Sequence, residues 1–155
     1  MIRKANQNDI PSLLRLLSQV LSIHANGRPD IFKSGTTKYT NDELLSILEN
    51  DTTPIFVATD ETGAVRGYAF CQRIEIKSDN ILQDLSYMYI DDLCVDEHYR
   101  RTGIGAALYE YVVEQAKALG CHSIRLNVWN LNQSALHFYE KHGLQALKTT
   151  MEYKI

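Results

Sequence analysis

Between Leu85 and Leu119 the chain reads as an apolar strand, a charged turn and an amphipathic helix, with no linker between them. The strand covers Leu85–Val95, and the link Asp96–Thr102 is rich in charged and turn-prone residues. The helix stripe is Ile104, Ala107, Leu108, Tyr111, Val112 and Leu119, closed by Gly120. A strand feeding directly into a helix requires a sheet with helices packed on it, so purely helical and purely β architectures are excluded.

The rest of the chain keeps this interleaving. Residues 2–6 read as a first strand. Asn8 or Asp9 caps a helix with Pro11 in its first turn, and Ile10, Leu13, Leu14, Leu17, Val20 and Leu21 form its stripe through about residue 23. His24 to Lys38 loses periodicity and reads as a long loop, the kind that is often functional. Thr40 and Glu43 form a capping box for a short helix carried by Leu44, Leu45, Ile47 and Leu48. A strand at Ile55–Ala58, a turn at Asp60–Gly63 and a strand at Val65–Ile76 form a hairpin, in which Gly67 marks a bulge or a close backbone approach. A polar loop from Lys77 to Gln83 precedes Leu85. Downstream, His122–Asn130 is predicted as a strand, Gln133–His142 as a helix capped by Gly143, and residues 145–154 as a closing strand.

Composition narrows the class. A chain of 155 residues is expected to form one domain, residues 1–155, and at that size to bury roughly 68–70% of its unfolded surface. A net charge of −3 does not suit a nucleic-acid or anionic-membrane binder, which needs clustered Lys and Arg. The start, Met1-Ile2-Arg3-Lys4-Ala5, has no signal-peptide hydrophobic stretch, so a cytoplasmic protein is expected. Cys71, Cys94 and Cys121 are odd in number and far apart, which predicts neither a disulfide framework nor a zinc site. The five His residues have no metal-binding pairing, and no metal is expected.

The chemistry concentrates in Leu93-Cys94-Val95 and the turn that follows, Arg100-Arg101-Thr102-Gly103-Ile104-Gly105-Ala106. Glycines at a helix start let backbone N–H groups approach an anion, and the helix dipole favours negative charge there. Arg100 and Arg101 add cationic donors, completing what a pyrophosphate requires. A tight turn with two solvated arginines is the plainer reading. Gly105-Ala106-Ala107 is not the Gly-Lys-Ser/Thr of a nucleotide-binding P-loop. Leu108 stands where a dinucleotide fingerprint needs its third glycine.

Arg100-x-x-Gly103-x-Gly105 after Leu93-Cys94-Val95, with Asn132-x-x-Ala135-x-x-Phe138-Tyr139 downstream, resembles the GNAT family of GCN5-related N-acetyltransferases. The resemblance covers nearly the whole chain. It implies the acyl-CoA N-acyltransferase fold: one α/β domain with a mixed, mostly antiparallel sheet of six or seven strands and about four helices. It implies acetyl-CoA as co-substrate, its pyrophosphate on Arg100, Arg101, Thr102, Gly103, Ile104, Gly105 and Ala106. Its pantetheine arm would lie along Leu93, Cys94 and Val95, with Asn132 bonding the arm and Ala135 allowing close approach. The implied reaction is direct attack by a primary amine of a small molecule or peptide on the thioester, with the backbone N–H of Leu93 or its neighbours at the oxyanion and Tyr139 as general acid. A non-catalytic acyl-CoA-binding or sensing module on the same fold is the alternative. Many relatives are homodimers, and the last strand is a plausible exchange element.

Two acids, Asp91 and Asp92, interrupt the apolar strand, and strict alternation sends them to opposite faces. Adjacent acids in such a strand are costly unless paired, hydrated or used. The resemblance favours Asp91 as base, through a water, and Asp92 as a structural or amine-orienting acid. Salt bridges with Lys or Arg account for both equally well. His24, Arg28, Asp30, Phe32, Lys33 and Tyr39, with Tyr87 and Tyr89, are available to line an acceptor site. Aromatic faces and carboxylates suit an alkylammonium, whereas Arg28 and Lys33 suit a carboxylate.

Overall fold

Asp9 sets the start of the first helix in the computed structural model, which describes residues 1–155. The carboxylate of Asp9 accepts from the Asn6 backbone N–H at 2.8 Å and from both terminal nitrogens of Arg3 at 2.8 and 2.9 Å. Asn6 in turn caps a short 3-10 turn, Gln7–Asp9, which runs into α1, Ile10–Gly27. This capping ends β1 at Ile2–Lys4, two residues before the predicted end. The helix continues beyond residue 23 until the Arg28 N–H bonds to the His24 carbonyl. After a loop comes α2, Asn41–Glu49, closed at its start by the predicted Thr40–Glu43 box.

The remaining elements are β2, Ile55–Thr59; β3, Val65–Ile76; β4, Leu85–Val95; α3, Ile104–Ala118; β5, Ser123–Leu126; and α4, Gln133–Lys141. The sheet order is β1-β2-β3-β4-β5, antiparallel throughout except for the parallel pair β4–β5. Alternation divides the core between the two faces. Leu13, Leu16, Leu17 and Leu44 of α1 and α2 meet Ile55, Val57, Tyr68, Phe70 and Cys94 on one face. Leu108 and Val112 of α3, with Tyr139 of α4, meet Phe56, Ala69, Cys71, Met88 and Ile90 on the other. Burying each such leucine contributes about 1.5–3 kcal/mol relative to leaving it in water.

The approach of α3 to the sheet depends on Gly67. A β-carbon there would lie 2.9 Å from the Cys94 carbonyl oxygen and 3.0 Å from a methyl of Leu108. The close approach expected at this glycine is therefore real, and a bulge lies beside it where Ala58 faces Gly67 and Thr59 faces Val65.

The sheet has five strands, not six or seven. The alternation in residues 145–154 forms no ladder, because no strand lies alongside to accept it. Leu147, Met151, Tyr153 and Ile155 are instead exposed. Glu152 and Lys154 tie the segment to Arg28 and Asp30 at 3.0 and 3.4 Å. The strand predicted over 122–130 is shortened because the chain turns at Trp129, whose carbonyl accepts from the Asn132 N–H at 2.9 Å. No helix is long and apolar enough to cross a membrane.

Candidate active site

The parallel pairing of β4 with β5 runs from Tyr87–Ser123 to Ile90–Leu126 and stops. β4 continues for five more residues, Asp91–Val95, still paired with β3 through Phe70–Asp92 to Gly67–Val95. One edge of that stretch is therefore open, where β5 has turned away toward α4. Leu93, Cys94 and Val95, the residues expected to hold an extended arm, form the open stretch. Leu93 and Val95 turn their backbone groups to that edge, whereas Cys94 does not: its side chain is buried toward α1 and its backbone groups pair with Tyr68 of β3, because antiparallel pairing alternates which residues face the partner.

The turn after β4 is held from below. Asp96 is 2% exposed, bonds Arg15 at 2.8 Å and accepts from the His98 N–H at 3.3 Å. Arg66 lies over the Tyr99 ring at 4.2 Å. The Arg100 side chain folds back to donate to the Val95 carbonyl, and Thr102 donates to the Tyr99 carbonyl. Arg101 and Gly103 both have positive φ, +63° and +88°. Gly103 is the N-cap of α3 and supplies no capping side chain. The N–H groups of Ile104, Gly105 and Ala106 precede the first intrahelical bond and are left for an external acceptor. A β-carbon on Gly105 would sit 3.5 Å from both Phe138 and Val95, so this first turn of α3 adjoins the end of β4 and α4.

At the start of α4, the Asn132 side chain accepts from the Ala135 N–H at 3.1 Å as the N-cap, which leaves its amide NH2 free of that bond. Tyr139, one helical turn beyond Ala135, is 9% exposed and packs between Phe138 and Tyr109. Burial, and after it the negative charge of Asp92, holds its phenol above its ordinary range and therefore protonated. The uncapped turn of α3 thus adjoins both the end of the open strand edge and Phe138, the neighbour of Tyr139, and its unpaired N–H groups are donors of the kind an anion such as a pyrophosphate accepts from.

Asp91 and Asp92 do not point to opposite faces. Phe70 pairs with Asp92 and Cys71 with Ile90, leaving Asp91 as the extra residue of a bulge. The bulge resets the alternation, so both carboxylates lie on the α1–α2 face. Tyr39 donates to Asp91 at 2.5 Å and Tyr68 donates to Asp92 at 2.8 Å, and both rings pack on Phe70. Burial raises Asp92 above the usual carboxylate range. Burial, and then the bond to Asp91, raises Tyr39. Lys38 lies 3.1 Å from Asp91, so the ion pair allowed for Asp91 is present; Asp92 has a tyrosine partner instead.

The proposed acceptor residues divide. Phe32 stacks on His24 at 4.9 Å and meets the Trp129 ring edge-on at 4.9 Å, anchoring the loop as its apolar character allows. Arg28 and Asp30 bond each other and the C-terminal segment. Lys33 is exposed. Tyr89 accepts from Asn127 at 3.2 Å, and Arg125 lies over the Tyr87 ring at 4.2 Å. Sequence reasoning missed Lys38, Tyr68, Arg15 and Trp129. An aperiodic loop gives Lys38 no signal, and Tyr68 reads simply as part of an apolar strand.

Comparison with known proteins agrees with this geometry. Residues 19–144 match the model of the Acetyltransferase (GNAT) family. A mutant of the BH1408 protein from Bacillus halodurans has a TM-score of 0.97 at 30% identity, over 100% of this chain and 99% of that one. An acetyltransferase from Trypanosoma brucei shares the fold at a TM-score of 0.73 and 23% identity, over 100% and 99% of the two chains. Streptothricin acetyltransferase A of Bacillus subtilis (strain 168) is 39% identical over 56 residues, 36% of this chain and 32% of that protein. L-ornithine N5-acetyltransferase of Arabidopsis thaliana is 40% identical over 60 residues, 39% of this chain and 26% of that protein. These matches span only a third or less of the two curated relatives. The chain belongs to the GNAT acetyltransferase family.

Proposed function

We propose that this protein transfers the acetyl group of acetyl-CoA to a primary amine of a small molecule or peptide, by direct attack in a ternary complex. The observation that carries this reading is the loss of β5 beside Asp91–Val95, whose Val95 end adjoins the uncapped first turn of α3. The pyrophosphate would sit on the backbone from Arg100 to Ala106, and the arm along Leu93–Val95 opposite Asn132 and Ala135. The Leu93 N–H then faces the developing oxyanion, Asp91 takes a proton from the amine, and Tyr139 supplies one to the leaving thiolate. Asp92, bonded to Tyr68, positions the strand. Burial pushes the thiols of Cys71 and Cys94 up to about 12, which keeps them neutral and supports direct transfer over an acetyl-cysteine intermediate.

Thermal unfolding with saturating acetyl-CoA, and with NAD and ATP as controls, tests the donor site. Ligand at 100 times its dissociation constant adds about 2.7 kcal/mol, a rise of several degrees. A rise with acetyl-CoA alone is expected; its absence in a cooperatively melting protein overturns the reading. Binding without turnover on any of a broad panel of primary amines would favour a non-catalytic acyl-CoA-binding module.

Residues 1–155 act as one domain in this reading, and the three free cysteines suit the reducing cytoplasm. A homodimer is also proposed. Exposed Leu147, Met151, Tyr153 and Ile155 alternate along an unpaired segment that is suited to pair with a second copy. Light scattering of the full chain and of a Met151→Lys, Tyr153→Lys variant tests this. A dimer that dissociates in the variant is expected, and a monomeric parent overturns it.

A further inference from the structure

Lys38 projects from the loop between α1 and α2 across to the bulge of β4. Its Nζ lies 3.1 Å from the Asp91 carboxylate, 3.4 Å from the Asp91 main-chain carbonyl and 5.7 Å from the centre of the Tyr39 ring. A carboxylate, a carbonyl and an aromatic face are the partners that a primary alkylammonium seeks. The chain's own lysine thus occupies the place that the reading above gives to the acceptor amine.

We propose that, once charged with acetyl-CoA, the protein acetylates its own Lys38, a modification that rests on that reading of the β4 opening. The Leu93 N–H is two residues along the strand from Asp91, about 6.6 Å at the usual rise. The Lys38 side chain is 42% exposed and flexible along its stem, so it is free to swing from Asp91 toward that position. Nζ first gives one proton to Asp91, which passes it to water. The neutral amine then attacks the thioester carbon; the N–C bond forms and the C–S bond breaks. The second proton leaves nitrogen as Tyr139 protonates the thiolate and is re-protonated in turn. The products are Nζ-acetyl-lysine, free coenzyme A and one proton released to solvent.

Other lysines lack this setting. Lys4 pairs with Asp51, Lys117 with Glu114 and Lys154 with Asp30, all on outer surfaces. Acetylation of Lys38 would abolish its charge and free Asp91 for an incoming amine.

The test incubates the full chain with acetyl-CoA and no acceptor, then reads intact mass and maps acetylated peptides. One acetyl group on Lys38 is expected, with the fraction labelled per unit time, the first-order rate, independent of protein concentration. The Lys38→Arg variant should remain unmodified at that peptide, and Asp91→Asn should slow labelling by at least about tenfold. Labelling spread evenly over Lys4, Lys117 and Lys154, or a first-order rate that rises with protein concentration, overturns self-acetylation in cis. So does acetyl-CoA that protects the fold against heat yet leaves Lys38 unmodified. Absence of protection by acetyl-CoA brings down the donor site as well.

Discussion

Asp91 and Asp92, adjacent in sequence, carry their carboxylates on the same side of the sheet, each bonded by the hydroxyl of a different tyrosine. The bulge at Asp91 is the cause, and it lies where β4 loses β5 as a neighbour. One local irregularity therefore places an acid, a lysine and an open strand edge together.

Asp92 makes stability depend on pH in a defined direction. Its folded pKa is raised above the ordinary 3.8, so the native state holds the proton more tightly than the unfolded chain. Stability attributable to this group therefore falls as pH rises from about 3.8 through the raised folded value. Asp92→Asn, which keeps an acceptor for Tyr68, should gain more in melting temperature over wild type at pH 7 than at pH 4. Equal differences at the two pH values would show that Asp92 is not the group responsible.

Tyr139→Phe preserves the packing on Phe138 and Tyr109 while removing the protonated phenol. Turnover with an amine acceptor is expected to drop by about 10²–10⁴-fold, with acetyl-CoA affinity unchanged. Steady-state kinetics together with calorimetric titration of acetyl-CoA measure the two halves separately. Undiminished turnover removes Tyr139 from the mechanism.

Two glycines make different demands. Gly67→Ala forces a β-carbon against the Cys94 carbonyl and should cost about 1–3 kcal/mol in denaturant unfolding, because backbone cannot move aside cheaply. Gly103→Ala has room for its methyl but requires φ near +88°, a strain of roughly 1–2 kcal/mol. Relieving that strain tilts the first N–H groups of α3. The stabilisation by acetyl-CoA should therefore shrink in Gly103→Ala.

Arg15→Met leaves Asp96 buried with only Arg66, at 4.0 Å, as a counter-charge. The expected loss is about 1–3 kcal/mol, since a buried acceptor loses its strongest donor. Chemical denaturation reads it directly, and a loss near zero would mean that Arg66 closes in to replace Arg15.

Much of this architecture was legible beforehand because its causes are local. The Thr40–Glu43 box, the stripe of α3 and the Gly103 turn each depend on residues within a few positions of one another. The same holds for Asn132, whose side chain caps α4 as its residue type suggests. The error at 145–154 has the opposite character. Alternating residues are necessary for a strand, yet a ladder also needs an adjacent strand with free hydrogen-bonding groups, and none lies beside this segment.

The sequence by itself determined most of the elements, the glycine turn and the acid pair shortly before it, through short-range sterics, capping and periodicity, while Tyr139 was tied to that turn only by the family resemblance. Tertiary structure alone decided that both acids share a face, that Lys38 meets Asp91 across 53 residues, and that β5 departs at Leu126 to open the edge of β4. Those facts depend on which strands pair and in what register. A one-residue bulge exchanges faces without any change in the hydrophobic pattern that announces a strand.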